Sequence, residues 1–450
     1  MRFSAASDTM QTTEIHPDAV SAHYRVLNKI GLINSQSEHG FFRLPYSDAE
    51  TQATNYIRQS AEASGLHCRY DAVGNLIVEL PGLTAQWVET GSHIDTVPGG
   101  GNFDGTAGVV AGLTALQEIQ NSGTTLQQGL RLRIWRGEES ASYGVTSIGS
   151  RAAFGQLPKE ALDRCYQGIS LADAMRAQGA DPEVIHRAEA TISSEERDGI
   201  TAFIELHIEQ GKLLEQLHKD IGIVTAIRGS KRSWIHLRGT FDHSGATPMG
   251  NQFRHDANLA MAYMQVELDQ LLQQANGEGA ELVQTVGLIN PPDSPLTLNE
   301  NAITKVSGAA SFSFEVRGCR AEALNSYSEK AFMLIHDIGR RFGVTVEIDT
   351  FSDQAGIEAL DPSIQALLGR ASKQLNLTTT KLASGAWHDA GTVARQLKSD
   401  GSTIPVGMIF IPCKGGISHS ADEFSSAEQI AKGASLLATA MLELASNYKA

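Results

Sequence analysis

The spacing of apolar positions changes several times along the chain, and each change marks an element. Between Asp48 and Gly65, Ala53, Ile57 and Ala61 recur at helical spacing, and Gly65 supplies a stop signal, so a helix is expected there. The next stretch, HCRYDAVGNLIVEL, alternates apolar and polar residues around a turn at Gly74 and predicts a hairpin. WVETGSHID predicts a strand ending in a loop, the small-residue run from Gly105 to Ile119 a helix, and LRLRIWRGEES a second strand with acids at its carboxyl end. From about Ile221 the pattern shifts. IGIVTAIRGSKRSWIHLRG and SGAASFSFEVRG predict strands, and FRHDANLAMAYMQVELDQLL and EALNSYSEKAFMLIHDIGRRF predict helices. Two helices on one side of an antiparallel sheet form a compact α+β unit, expected here as an insert at 219–332. GSTIPVGMIFIP then predicts a buried strand and SSAEQIAKGASLLATAMLELA an Ala-rich terminal helix. The expected class is α/β: a mixed-sheet domain made of residues 1–218 and 333–450, interrupted by the α+β insert.

Composition narrows the function without naming it. A chain of 450 residues exceeds what one ordinary core organises, which agrees with a domain plus an insert. A net charge of −15 argues against a nucleic-acid or anionic-membrane partner. Four cysteines (Cys68, Cys165, Cys319, Cys413) lie far apart and form no CxxC pair, which fits a reducing cytoplasm. The N-terminal stretch MRFSAASDTMQTTEIHP lacks the apolar core of a secretion signal. No run reaches the roughly 18 apolar residues of a membrane span.

Four clusters carry candidate chemistry, each at the expected carboxyl end of a strand, where sites of α/β sheets form. In GSHIDTVPGGGNFDG, His93 and Asp104 flank a Gly/Pro-rich loop that can turn both onto one metal. Asp95 is placed to accept the other imidazole N–H and so fix the tautomer. In RGEES, Glu138 and Glu139 are adjacent and point to opposite sides of a strand, so one can serve a metal and the other the attacking water. In ELHIEQG, His207 has Glu205 and Gln210 as polar company, and in GGISHSADEF, His419 follows a Gly-Gly turn. A lone HxD, an EE pair or a single histidine reads more readily as structural or solvated; the glycine loop and FDG favour function for the first cluster, but no cluster is decisive alone. Together they supply three imidazoles and three carboxylates, enough for two borderline metal ions sharing a bridging carboxylate.

These motifs resemble those of the hydantoinase/carbamoylase group of amidases, within the aminoacylase/carboxypeptidase-like dinuclear metallohydrolases. The group includes N-carbamoyl-L-amino-acid hydrolases, β-ureidopropionases and allantoate amidohydrolases. The resemblance runs from SDAETQATNYIRQSAEASGL to SHSADEF; its most specific stretches are GSHIDTVPGGGNFDG, ELHIEQG and HSGATPM. It implies two divalent ions per subunit (Zn, Mn, Co or Ni), one held by His93, Asp104 and His207, the other by Asp104, Glu139 and His419. It implies Glu138 as general base, Gln210 as a substrate-binding residue, and His388 of SGAWHDAG as a further site histidine. It implies a homodimer in which the insert serves as dimerisation and lid domain. From the partner, His243 would polarise the scissile carbonyl, and Asn301 and Arg317 would bind the substrate carboxylate. The implied substrate is a small ureido or amide compound bearing a carboxylate, and the reaction is hydrolysis of its C–N bond.

Three departures stand out. The loop GNQF after Met249 looks long, which leaves Arg254 without an assigned role; ESASYGVTS replaces the usual sequence after the base; and Trp387 stands where glycine is common. Trp387 could narrow the pocket or pack under its loop. The competing enzymatic reading is a dinuclear aminopeptidase or N-acyl-amino-acid deacylase, against which ELHIEQG argues. A non-catalytic binding protein on the same fold would be expected to lack a ligand or the base, whereas all six positions are filled.

Overall fold

The computed structural model describes residues 10–296 and 298–446, so the first nine residues of the N-terminal stretch considered above lie outside the described part. The chain divides into two compact units, one ending at Thr225 and resuming at Leu360, the other Ala226–Ala359.

The first unit is built on an eight-stranded mixed sheet. Its order is Thr379–Ser384, Ile221–Ile227, Val406–Ile411, Ile200–Ile208, Trp87–His93, Gly129–Trp135, Leu76–Leu80, His67–Tyr70. The four central strands run parallel, and the hairpin His67–Tyr70/Leu76–Leu80 closes one side antiparallel, with Gly74 in the left-handed region at φ +85°. Parallel strands are covered on both faces, which is why GLRLRIW and VGMIFI are buried at every position. The helix Asp48–Ala63 starts where the Ser47 side chain accepts the Glu50 N–H. The helix Thr106–Ser122 lies so close to the sheet that a Cβ on Gly108 would sit 2.1 Å from the Leu206 carbonyl oxygen. Its small residues are therefore a packing requirement, and they bring its first turn beside the ends of two central strands. In register, His93 pairs with Trp135 and His207 with Phe410, so the four parallel strands end along one edge. The loops leaving that edge carry all four clusters.

The second unit is a four-stranded antiparallel sheet ordered Val283–Thr285, Ala309–Gly318, Gly229–Arg238, Thr345–Gln354. The helices Ala257–Gly277 and Ala321–Phe342 cover one face, around Ile235, Leu237, Phe312, Phe314, Met264 and Ile335. Its limits differ from the expected 219–332 at both ends. Residues from Ile221 pair with Val406–Ile411 in the large sheet, with Gly222 opposite Phe410. At the other end residue 332 falls inside a helix, and Thr345–Gln354 continues the small sheet along Gly229–Arg238. That last strand escapes a sequence reading because it is a largely exposed edge, with Val346 and Ile348 its only side chains against the core. Among the described residues no helix is long and apolar enough to cross a membrane.

Candidate metal centre

Asp104 is the centre of the cluster. Its Oδ1 lies 3.0 Å from His207 Nε2 and 3.4 Å from His93 Nε2, and its Oδ2 lies 3.3 Å from His419 Nε2. The same His419 nitrogen is 3.3 Å from Glu139 Oε1. Two ligand sets result, His93–Asp104–His207 and Asp104–Glu139–His419, each with its donor atoms within 4.8 Å of one another. The loop can approach this closely because Gly105, at φ +62°, passes over the His93 ring, where a Cβ would lie 2.4 Å from the imidazole. His93, His207, Asp104, Glu138 and Glu139 are buried, while the His419 side chain is 51% exposed. Gln210 donates its amide to Asp104 Oδ2 at 2.7 Å. Two further groupings meet the same distance limit, His93–Glu138–Glu139 and Glu205–His207–His388; in the second, Glu205 also accepts from the Ser92 hydroxyl and the Ala390 N–H.

Asp95 touches both the candidate base and a candidate ligand. Its Oδ1 lies 3.3 Å from His93 Nδ1, and its two oxygens accept the backbone N–H groups of Glu138 and Glu139, each at 3.0 Å. One buried carboxylate thus fixes an imidazole and the acidic turn together. The Glu138 Oε1 atom accepts from the Ser147 hydroxyl at 3.1 Å and the Thr146 hydroxyl at 3.3 Å. Both hydroxyls come from the segment that departs from the usual sequence.

The electrostatics are those of a crowded acidic site. Burial pushes the Glu138 carboxyl well above its ordinary value; the charge on His93 opposes this, and Glu139 and Asp389 reinforce it. Burial likewise raises Glu139, against a hydrogen bond from His419. Burial would raise Asp104 too, but the charge on His207 and the hydrogen bonds of His207, His419 and His93 hold it well below the usual range. Burial would lower His93, yet hydrogen bonds to Asp104 and Asp95 raise it well above an ordinary imidazole. Hydrogen bonds to Asp104 and Glu139 carry His419 up to about 11. Burial, then the charge on His207, drives His388 well below its usual value, so it is neutral, with Nε2 2.8 Å from the Ser384 hydroxyl. Asp95, Asp104, Glu138, Glu139, Glu205 and Asp389 are buried around the buried imidazoles His93, His207 and His388. So many carboxyl groups out of water are costly unless cations join them, and the mixed imidazole–carboxylate donor set suits borderline divalent ions.

Other buried charges support the site from behind and went unread in the sequence. The Arg43 guanidinium donates to the Ile94 carbonyl at 2.8 Å and the Thr106 hydroxyl at 2.9 Å, joining the loops on either side of the ligands. Glu50 accepts from Arg136 Nε at 2.7 Å and from the Gly137 N–H at 3.0 Å, anchoring the turn before the acidic pair. In sequence both are charged residues near a helix start, indistinguishable from solvated ones. Trp387 packs over Gly391 with the Arg395 guanidinium 4.5 Å from its ring centre, so its ring lies along the helix Asp389–Ala394.

The remaining expected residues belong to the second unit, and that unit does not group all of them. His243 pairs with Lys305, and its Nδ1 accepts the N–H groups of Gly245 and Ala246. Arg254 holds this loop by donating to the carbonyls of Ser244, Thr247 and Pro248. Asn301 donates to the Ala309 carbonyl at 2.9 Å, at the same end of the sheet. Arg317 lies at the opposite end of the strand Ala309–Gly318, opposite Ser230, with Glu315 at 3.0 Å. Ala309 and Arg317 are eight residue steps apart along the strand, roughly 26 Å. The expected Asn301–Arg317 pair is therefore split across the unit.

Comparison with known proteins adds the context. Residues 90–443 match peptidase family M20/M25/M40. The chain is 33% identical over 411 residues to ureidoglycolate hydrolase of Oryza sativa subsp. japonica, covering 89% of this chain and 80% of that protein. It is 32% identical over 422 residues to N-carbamoyl-L-amino acid amidohydrolase of Geobacillus stearothermophilus, covering 93% of this chain and 97% of that protein. The crystal structure of a hydantoinase/carbamoylase family amidase from Burkholderia ambifaria is similar over 98% of this chain and 100% of that one, with a TM-score of 0.81 and 27% identity.

Proposed function

Because the chain belongs to peptidase family M20/M25/M40, we propose that it is an amidohydrolase cleaving the C–N bond of a ureido carboxylate, such as an N-carbamoyl-L-amino acid, ureidoglycolate or allantoate. The observation that carries this is the pair of ligand sets meeting at Asp104 with Glu138 beside them, in a chain whose relatives are named for ureido substrates.

His93, Asp104 and His207 would hold one divalent ion (Zn, Mn, Co or Ni) and Asp104, Glu139 and His419 a second. Such ions, when bound, supply acidification of a water and polarisation of the scissile carbonyl. Glu138 takes the proton of the attacking water and hands it to the leaving nitrogen, and its raised proton affinity suits the second half of that transfer. Asp95 holds the Glu138 backbone, while Thr146 and Ser147 orient its Oε1. Gln210 and the neutral His388 provide hydrogen-bonding groups beside the ligands. His243 polarises the carbonyl, and the planar fork of Arg317 takes the substrate carboxylate. The carbamate released from a ureido substrate decomposes to CO2 and ammonia. The four cysteines, none in a disulfide, suit a reducing cytoplasm.

The test is ammonia release by metal-reconstituted enzyme from N-carbamoyl-L-amino acids, N-carbamoyl-β-alanine, ureidoglycolate and allantoate. At least one of these is expected to exceed an N-acetyl amino acid or a dipeptide in kcat/KM by on the order of a hundredfold, since a site that hydrogen-bonds a ureido NH2 leaves groups unpaired around other substrates. The reverse preference would establish the deacylase or aminopeptidase reading.

The working unit is a homodimer with shared sites. His243 and Asn301 at one end of a continuous strand and Arg317 at the other cannot reach one substrate from a single chain. The resemblance puts all three in the partner's site, and within the unit Arg317 stands at the far end of the strand from His243 and Asn301. Mixing inactive His243→Ala with inactive Glu138→Ala under subunit exchange is expected to restore activity, approaching one site in four of the pool. Mixing Arg317→Ala with Glu138→Ala reads separately which chain's site Arg317 serves. No recovery in the first mixture would refute sharing; recovery in the second assigns Arg317 to the partner's site, and none assigns it to the site of its own chain.

A further inference from the structure

Glu423 is a buried carboxylate that neither binds a ligand set nor faces the base, yet it touches both loops that carry Asp104 and His419. Its Oε1 accepts two backbone N–H groups, from Phe103 at 2.8 Å and from Asp104 itself at 2.9 Å. Its Oε2 lies 2.9 Å from the Ser418 hydroxyl, and that hydroxyl is also 2.9 Å from Asp104 Oδ2. Ser418 immediately precedes His419, which sits in the left-handed region at φ +55°. The approach is tight: a Cβ on Gly101 would lie 2.4 Å from the Glu423 side chain, so only glycine lets this loop close onto it. Phe103 and Phe424 seal the contact edge to face, 5.4 Å between centroids.

We infer that Glu423 is a positioning residue that clamps the Asp104 loop to the His419 loop and so sets the affinity of the Asp104–Glu139–His419 ion. Of the two ligand sets this is the one that needs such help. His93 and His207 stand on buried central strands, whereas His419 is half exposed on a loop leaving Ile411. The inference rests on the two-ion reading above. Three bonds define the clamp, and their geometry shows which substitution preserves it. In Glu423→Gln the amide carbonyl can still accept both backbone N–H groups. Its NH2 can donate to Ser418 Oγ, leaving the single hydroxyl proton for Asp104. In Glu423→Ala all three bonds are lost.

The experiment is titration of the full-length apo chain with Co(II), followed by calorimetry and by visible absorption, which reports the ligand field of each ion. His419→Ala marks the signature of the outer ion. In Glu423→Ala that same ion should bind roughly 10- to 100-fold more weakly, the usual cost of removing a group that orients a ligand, with the His93–Asp104–His207 ion little changed. Glu423→Gln should stay close to wild type. Equal affinities in Glu423→Ala and wild type overturn the clamp, as does a Glu423→Gln variant that falls as far as the alanine. Should Glu423→Ala not fold, Ser418→Ala decides: it cuts one arm of the clamp, and an unchanged outer ion overturns the inference. A wild-type chain that takes a single ion overturns the two-ion reading instead, and the alanine–glutamine contrast on that one ion then settles the clamp.

Discussion

Glu138→Gln is expected to lower kcat by roughly 10²- to 10⁴-fold, the range for loss of a general base, while metal content and the thermal unfolding midpoint stay near wild type. The glutamine carbonyl can still accept from Ser147 and Thr146, and the backbone N–H can still bind Asp95, so the turn is preserved and only the proton acceptor is removed. Metal analysis beside single-turnover kinetics separates the two effects; turnover within a few-fold of wild type would remove Glu138 from the mechanism. The wild-type pH profile carries a matching sign. The base works ionised, and burial raises its carboxyl above the ordinary glutamate range. Activity should therefore fall as pH drops through that raised value, and this acid limb should shift or vanish in the glutamine variant.

Glu89→Ala is expected to destabilise the first unit by about 3–5 kcal/mol, although Glu89 lies outside the metal cluster. Glu89 is 1% exposed on the central strand Trp87–His93. Its oxygens accept from Arg131 Nη1 at 2.6 Å, Arg133 Nε at 2.7 Å and Arg133 Nη2 at 3.0 Å. Removing it strands the Nε of a fully buried Arg133 in the sheet, and Glu196, which reaches only the Nη2 of that side chain, cannot replace both bonds. Burial would raise the Glu89 carboxyl, but Arg133 and Arg131 together hold it below the usual range. Its stabilising effect is thus full at neutral pH and lost only as pH falls through that lowered value, so the difference between variant and wild type should narrow in acid. Urea unfolding at neutral and acidic pH measures both. A neutral-pH change under about 1 kcal/mol, the level of an exposed ion pair, would contradict the argument.

Some of this was written in the order of residues. The alternation around Gly74, the all-apolar run in VGMIFI and the small-residue helix after Gly105 each encode an element through local spacing, and each forms where the spacing places it. The motifs behave alike: HxD, the glycine loop, the acidic pair and the late histidine each follow a strand of the parallel core, and strand direction alone brings them to one edge. The edge strand Thr345–Gln354 was hidden, because pairing on one side with an exposed face leaves no apolar signature.

The chain's own order of residues therefore settles the parallel core, the loops that carry the candidate ligands and the class of chemistry, since these depend on side-chain type and near-neighbour spacing. Folding settles which buried charges meet groups far away in the sequence: Glu423 on the N–H of Asp104, Asp95 beneath both acids, Arg43 between two loops. It also settles how far apart residues of one motif end up. Asn301 and Arg317 look like partners along the chain, but an extended strand holds them at opposite ends, because strand length is fixed by backbone geometry and not by the chemistry of its side chains.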